Sequence, residues 1–122
     1  MIKDVCSSEN IRIVYACAGC ADVGELADRV SRKLRKEGFA TPQASCLAGI
    51  GAGIEGFISF ASKAHTIIAI DGCGVGCTRL MLAKAGLKAQ TEVLTEYGIE
   101  KGKTVITDEL IDKMGQFIKD KY

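Results

Sequence analysis

Apolar and polar positions along the chain follow two alternating patterns. Residues 11–16 and 66–70 are short apolar runs rich in β-branched side chains, which are typical of buried strands. Between and after these runs, apolar residues recur at three- and four-residue spacing, which predicts helices with one buried face. Weaker strand signals occur at residues 43–47, 91–94 and 105–106.

Residues that favour helix ends bracket the helical segments. Asp22 and Glu25 match a capping box, and Gly38 can end the helix that follows in a left-handed conformation. A shorter helix is predicted after the glycine-rich stretch that ends at Gly56, and another before Gly86. Thr107 is a favourable N-cap residue for a last helix.

The order of the predicted elements indicates the fold class. Strands and helices alternate as β-α-β-α-β-α-β, with a further edge pairing before the last helix. This order predicts an α/β protein with three layers, α/β/α, around a mainly parallel sheet of four to five strands. The sheet is expected to be Rossmann-like or flavodoxin-like. Because the chain has 122 residues and no linker or repeat, residues 1–122 are predicted to form one domain.

Composition narrows the classes of function. The formal net charge is +1, and the aromatic fraction is 6% without any Trp, so neither a nucleic-acid partner nor a membrane surface is expected. The first residues contain no apolar signal segment, and we therefore expect a cytoplasmic protein. Thiols stay reduced in that compartment, so the six cysteines are expected to serve metal or redox chemistry rather than disulfides.

The predicted topology collects most of these cysteines at one place. All strands of a parallel sheet end at the same edge, and ligands bind there. Four cysteines far apart in sequence fall at or just beyond the ends of predicted strands: Cys17, Cys46, Cys73 and Cys77. Cys20 lies beside Cys17 in a Cys-x-x-Cys stretch, whereas Cys6 precedes the first strand and receives no role.

The chemistry of clustered thiolates favours a metal site. Four thiolates suit a tetrahedral zinc ion, and soft thiolates also bind Cu(I) and iron–sulfur clusters. Helix N-termini and glycine turns supply backbone N–H donors, which stabilise thiolates. The residues expected around the ligands are Asp71, Gly49, Gly51 and Gly72. Two other interpretations stay open here: a redox-active thiol pair, and small buried cysteines without chemistry.

Several motifs in order resemble the DGC-domain family. They are the stretches 17–26 (CAGCADVGEL), 46–51 (CLAGIG) and 70–73 (IDGC), together with Cys77 and the later stretch 94–99 (LTEYGI). The resemblance covers roughly residues 11–101 and includes the Asp-Gly-Cys tripeptide that gives the family its name. It implies a small α/β protein with a cysteine-bound zinc, expected ahead of an iron–sulfur cluster, and no assigned reaction.

Carried over residue by residue, the resemblance implies four zinc ligands: Cys17, Cys46, Cys73 and Cys77. Two positions depart from the family pattern. Cys20 stands where many members have another residue, and it is expected to be a substitute ligand or a redox partner of Cys17. Gly74 stands where members usually have Pro, and Gly at this position is expected to loosen the turn into the next helix.

A second hypothesis is a dinucleotide-binding domain. Gly51, Gly53 and Gly56 match G-x-G-x-x-G after a short predicted strand, and Asp71 follows Gly51 by 20 residues. The match is weak, because the strand and the helix around it are short. A glycine-rich turn beside thiolates would account for the same glycines.

A third hypothesis is a thiol–disulfide redox protein. In it, Cys17 is the attacking thiolate and Cys20 the resolving thiol. Pro42, the one Pro in the chain, lies before the second predicted strand and cannot face the thiol pair from a later strand. His65 falls at the opposite edge of the sheet, which argues against cysteine–histidine catalysis. Asp71 is interpreted as a cap for turn amides rather than a general base.

The sequence therefore predicts a cysteine-thiolate zinc-binding protein, acting as a metal-stabilised scaffold, in metal handling or in thiol-linked regulation. Whether it is an enzyme stays open. The pattern specifies no protein partner and is compatible with a homodimer.

Overall fold

A computed structural model describes residues 11–122, so Cys6 lies outside the described residues. The elements, in chain order, are β1 (Arg12–Ala16), α1 (Asp22–Lys36), α2 (Leu47–Gly51), α3 (Glu55–Ser62), β2 (Thr66–Asp71), α4 (Cys77–Lys84), β3 (Gln90–Val93), a 3-10 helix (Leu94–Tyr97) and α5 (Asp108–Lys121). The protein is thus α/β, with five α-helices and three strands among these residues.

The three strands form one all-parallel sheet in the order β1-β2-β3. Val14 pairs with Ile68 and Ile70 pairs with Glu92. The expected count of four to five strands was wrong for the described residues. Strands in this consecutive order make up one half of a Rossmann sheet. The described strands do not include the point at which the strand order reverses, where doubly wound sheets bind their ligands. The flavodoxin-like order is not formed.

Residues 43–47, predicted as a second strand, do not form a ladder with β1. Just before this segment, Thr41 N–H donates to Arg12 O at 2.8 Å, as a neighbouring strand would. The guanidinium of Arg35 then donates to Val14 O at 3.0 Å and to Ser45 O at 3.4 Å. A side chain therefore occupies the carbonyl that a strand would use, and Ala44 turns away with a φ of 53°.

Both faces of the sheet are covered. On one face, α1 and α5 pack against Val14, Ile68 and Ile70. On the other, α2, α3 and α4 pack against residues that alternate with these, including Ile13 and Ala69. This alternation is the two-residue period of a strand buried on both sides, which accounts for the continuous apolar runs in the sequence.

The predicted capping box at the start of α1 was wrong. Ala21 is the N-cap residue, and Asp22 is the first helical residue. The Asp22 carboxylate instead accepts N–H donors from a distant loop, from Gly102 and Thr104, both at 2.9 Å. At the other end of α1, Gly38 has a φ of +83°, which confirms the predicted left-handed termination.

Candidate metal centre at the carboxyl edge

The loops after β1 and β2 meet at the carboxyl edge of the sheet. Cys17 follows β1, and its N–H donates to Ile70 O at 3.2 Å. The N–H of Gly72 donates to the Sγ of Cys17, also at 3.2 Å. The thiol after the first strand is therefore held against the Asp-Gly-Cys loop after the second strand.

This meeting of loops depends on glycines. A Cβ on Gly72 would lie 2.4 Å from Val23 O, which is a backbone atom of α1 and cannot yield easily. A Cβ on Gly24 would likewise lie 2.9 Å from the backbone of Gly19. Because the backbones approach so closely, the Asp-Gly-Cys loop and the loop after β1 are fixed against the first turn of α1.

The Cys17 thiol is half-buried, and this determines its protonation. Burial raises the pKa of Cys17, and repulsion from Asp71 and Cys77 acts in the same direction. The N–H donors of Gly72 and Gly19 oppose this shift without cancelling it. At this position, burial and nearby negative charge favour the neutral thiol, and a bound cation would favour the thiolate.

Asp71 ends β2 with a buried side chain that caps α4. One carboxylate oxygen accepts the N–H of Thr78 at 2.8 Å, and the other accepts the N–H of Arg79 at 3.2 Å. Only 1% of its surface is exposed. Asp71 therefore caps the first turn of α4, seven and eight residues further on, rather than the amides of its own turn as predicted, and this cap fixes where α4 begins.

Cys73 and Cys77 lie at the two ends of this capped turn. Cys73 is half-buried, and the Nζ of Lys101 lies 3.4 Å from its Sγ. Cys77 is the first residue of α4 and is exposed. Sequence reasoning missed Lys101. Its position in the loop region after β3 would have placed it at this same edge, by the rule that located the cysteines.

Cys46 and Cys20 are exposed and have different surroundings. Cys46 is the N-cap residue of α2. Burial raises the pKa of Tyr15 to about 12, Arg35 opposes this shift, and the charge of Cys46 adds to it. Cys46 is thus near enough to Tyr15 and Arg35 for its charge to act on both, and Cys77 is near enough to act on Cys17.

Gly49 and Gly51 serve helix packing. Both lie in α2. A Cβ on Gly49 would lie 2.1 Å from the ring of Phe57, and one on Gly51 would lie 2.7 Å from the Sδ of Met81. The expected strand before the G-x-G-x-x-G stretch is absent from this part of the described chain, and a helix stands there instead. The structural context of a dinucleotide fingerprint is therefore missing.

The donor types fit zinc, but their arrangement is not that of a formed site. Across residues 11–122, no three His, Cys, Asp or Glu side chains are grouped so that they could hold a metal ion. The loops of Cys17 and Cys73 touch, and Cys77 lies close enough to affect Cys17. A tetrahedral thiolate site would require these thiols to turn toward one another.

No helix among the described residues has the length and apolar character needed to cross a membrane.

Comparison with known proteins identifies the family. No solved structure matches the chain. The chain is 32% identical over 90 residues to the anaerobic and virulence modulator AnvM of Pseudomonas aeruginosa, across 73% of this chain and 67% of AnvM. The DGC domain matches residues 13–118, and the chain belongs to the DGC-domain family.

Proposed function

We propose that the protein binds zinc through cysteine thiolates at the carboxyl edge of its sheet. The proposed ligands are Cys17, Cys46, Cys73 and Cys77, with Cys20 as a possible substitute. The observation that carries this proposal is the hydrogen bond from Gly72 N–H to the Sγ of Cys17, at 3.2 Å. It ties two cysteine-bearing loops, 55 residues apart in sequence, to one another.

Charge favours a structural or regulatory ion over a hydrolytic one. Four thiolates around Zn²⁺ leave two net negative charges and no open position for water. Lys101 lies beside Cys73 and offsets part of that charge. The name of the Pseudomonas relative describes a modulator and no reaction. We therefore propose that the zinc serves a scaffold, metal-handling or regulatory role.

Residues next to the cysteines would help to position them around a zinc ion. Asp71 fixes the start of α4 and thus the position of Cys77, while Gly72 donates its N–H to a ligand sulfur. Gly49 and Gly51 let α2 pack closely, which positions Cys46 at its N-terminus.

A thiol–disulfide function of Cys17 and Cys20 ranks second. Cys20 is exposed and could act as the resolving thiol. The raised pKa of Cys17 is the reverse of what an attacking thiolate needs. A bound metal ion would lower that pKa, because a thiol releases its proton to solvent when it binds a metal as thiolate.

Elemental analysis of anaerobically purified full-length protein tests the proposal. One zinc per chain is expected, and Cys→Ser changes at positions 17, 46, 73 and 77 should each reduce it to a small fraction. Cys20→Ser and Cys6→Ser are matched controls that should retain zinc. Metal-free wild-type protein would refute zinc binding. Disulfide reductase activity that Cys20→Ser abolishes would then favour the redox function.

Removal of the metal separates a structural role from the others. If zinc stabilises the fold, a chelator should lower the Tm of the wild type by about 5 °C or more, since metal-binding energy becomes folding energy. Thermal unfolding with and without chelator measures this. Cys73→Ser should show no further drop on chelation. An unchanged wild-type Tm would exclude the scaffold role and leave metal handling or regulation.

A further inference from the structure

An apolar groove lies beside the cysteine edge and shares only Cys77 with the proposed zinc ligands. It has a volume of about 510 Å³, within the range of small-molecule sites. It lies between α4 and the α2–α3 pair, and its lining includes Ile50, Ile58, Leu80 and Met81. Leu80 is 52% exposed, although most large apolar side chains here are buried.

The groove is polar only near its ends. Cys77 lines it at the start of α4, and Lys84 lines it at the end of the same helix. No acidic side chain lines it. Its one charged lining residue is thus a cation next to an apolar surface, which complements a ligand with an apolar body and one negative group.

The helix sets the length of such a ligand. Cys77 and Lys84 are seven residues apart on α4, which is about 10 Å along the axis. A linear chain of about eight carbons spans this distance with its charged end at Lys84.

We propose that this groove binds a medium-chain carboxylate of about eight to ten carbons. Its carboxylate pairs with the ammonium of Lys84, and its tail lies on Leu80 and Met81 and ends near Cys77. Binding is noncovalent. The proposal does not depend on zinc, but it places the ligand's tail beside one of the proposed ligand cysteines.

Titration of the full-length protein with sodium octanoate, followed by amide chemical shifts in NMR spectra, tests the proposal. We expect saturable shifts in α2, α3 and α4, with a Kd of roughly 0.1–1 mM. Hexanoate should bind roughly tenfold more weakly, because it buries two fewer methylene groups. Absence of saturation, or shifts confined to other elements, would overturn the proposal.

Two variants separate the charge from the apolar contact. Lys84→Ala should weaken octanoate binding roughly threefold to tenfold and leave binding of the neutral analogue 1-octanol unchanged. Leu80→Gln should weaken both, and its exposed position makes misfolding a poor explanation. Lys88→Ala, an exposed lysine outside the groove, is the matched control and should bind as the wild type does. Equal loss of octanoate and octanol binding in Lys84→Ala would contradict the assigned role of the ammonium.

Discussion

The two faces of the sheet are built differently. The face covered by α1 and α5 has two long helices, of 15 and 14 residues, whose apolar sides close over the sheet. Ion pairs join these helices, with Lys33 to Asp112 and Lys119 to Glu37 both at 2.8 Å. The opposite face has three helices of 5, 8 and 8 residues, and a groove remains between them.

This difference separates stability from chemistry. Long amphipathic helices bury complete apolar sides, so the α1–α5 face supplies most of the fixed packing. Short helices leave apolar surface such as Leu80 exposed, and two of them begin at or beside a cysteine, Cys46 for α2 and Cys77 for α4. The α1–α5 face thus fixes the sheet edge and holds Cys17, and the opposite face presents Cys46, Cys77 and the groove.

The largest expected difference between the faces concerns core leucines. Leu34 of α1 is fully buried, and Leu34→Ala should reduce the free energy of unfolding by about 2–5 kcal/mol through the cavity it leaves. Leu80→Ala on the groove face should change it by less than about 0.5 kcal/mol. Urea denaturation of both variants measures this. Equal losses would show that the two faces contribute alike.

An intermediate effect is expected at Asp71, where the sheet meets the groove face. Asp71→Ala leaves the N–H groups of Thr78 and Arg79 without acceptors and should cost about 1–3 kcal/mol. Asp71→Asn keeps one acceptor oxygen and should cost less. Denaturation midpoints give these values, and amide exchange in α4 localises them. Unchanged protection of α4 in Asp71→Ala would contradict the capping role.

The smallest expected effect is a pH dependence of stability that comes from Glu92 in β3. Burial acts to raise the pKa of Glu92, but hydrogen bonds from Tyr122, Tyr97 and Lys121 outweigh it and hold that pKa below its usual range. The resulting stability is present above the unfolded pKa of about 4.3 and is lost as pH falls through the lower folded pKa.

Glu92→Gln should remove that dependence at a cost below about 1 kcal/mol, since Gln keeps an acceptor oxygen for the tyrosine hydroxyls and the lost ion pair is with the largely exposed Lys121. Urea midpoints measured from pH 7 down to about pH 3 test it. Tyr97→Phe, which removes one of the hydrogen bonds, should flatten the same curve in part. A wild-type curve identical to that of Glu92→Gln would contradict the role assigned to Glu92.

The long periodic elements and the short α3, α4 and β3 were predictable, whereas the strand at residues 43–47 was not formed. Spacing located α1 and α5, and β-branched runs located β1 and β2. Residues 43–47 failed as a strand because Arg35, from a helix, takes the Val14 carbonyl that pairing would need. No local pattern encodes that contact. Asp22 failed as a cap for a similar reason, since its partners Gly102 and Thr104 lie about 80 residues away.

Some features of the candidate site were likewise predictable from local sequence patterns, and others were not. The sequence by itself determined the α/β class, the parallel strands that carry Cys17 and Cys73 to one edge, and the resemblance that names the family. These follow from local periodicity and the common direction of parallel strands. Only the tertiary structure decided that Lys101 reaches Cys73, that Cys46 lies near Tyr15 and Arg35, and that a groove opens beside α4. Each depends on how separate elements pack, which short-range spacing does not specify.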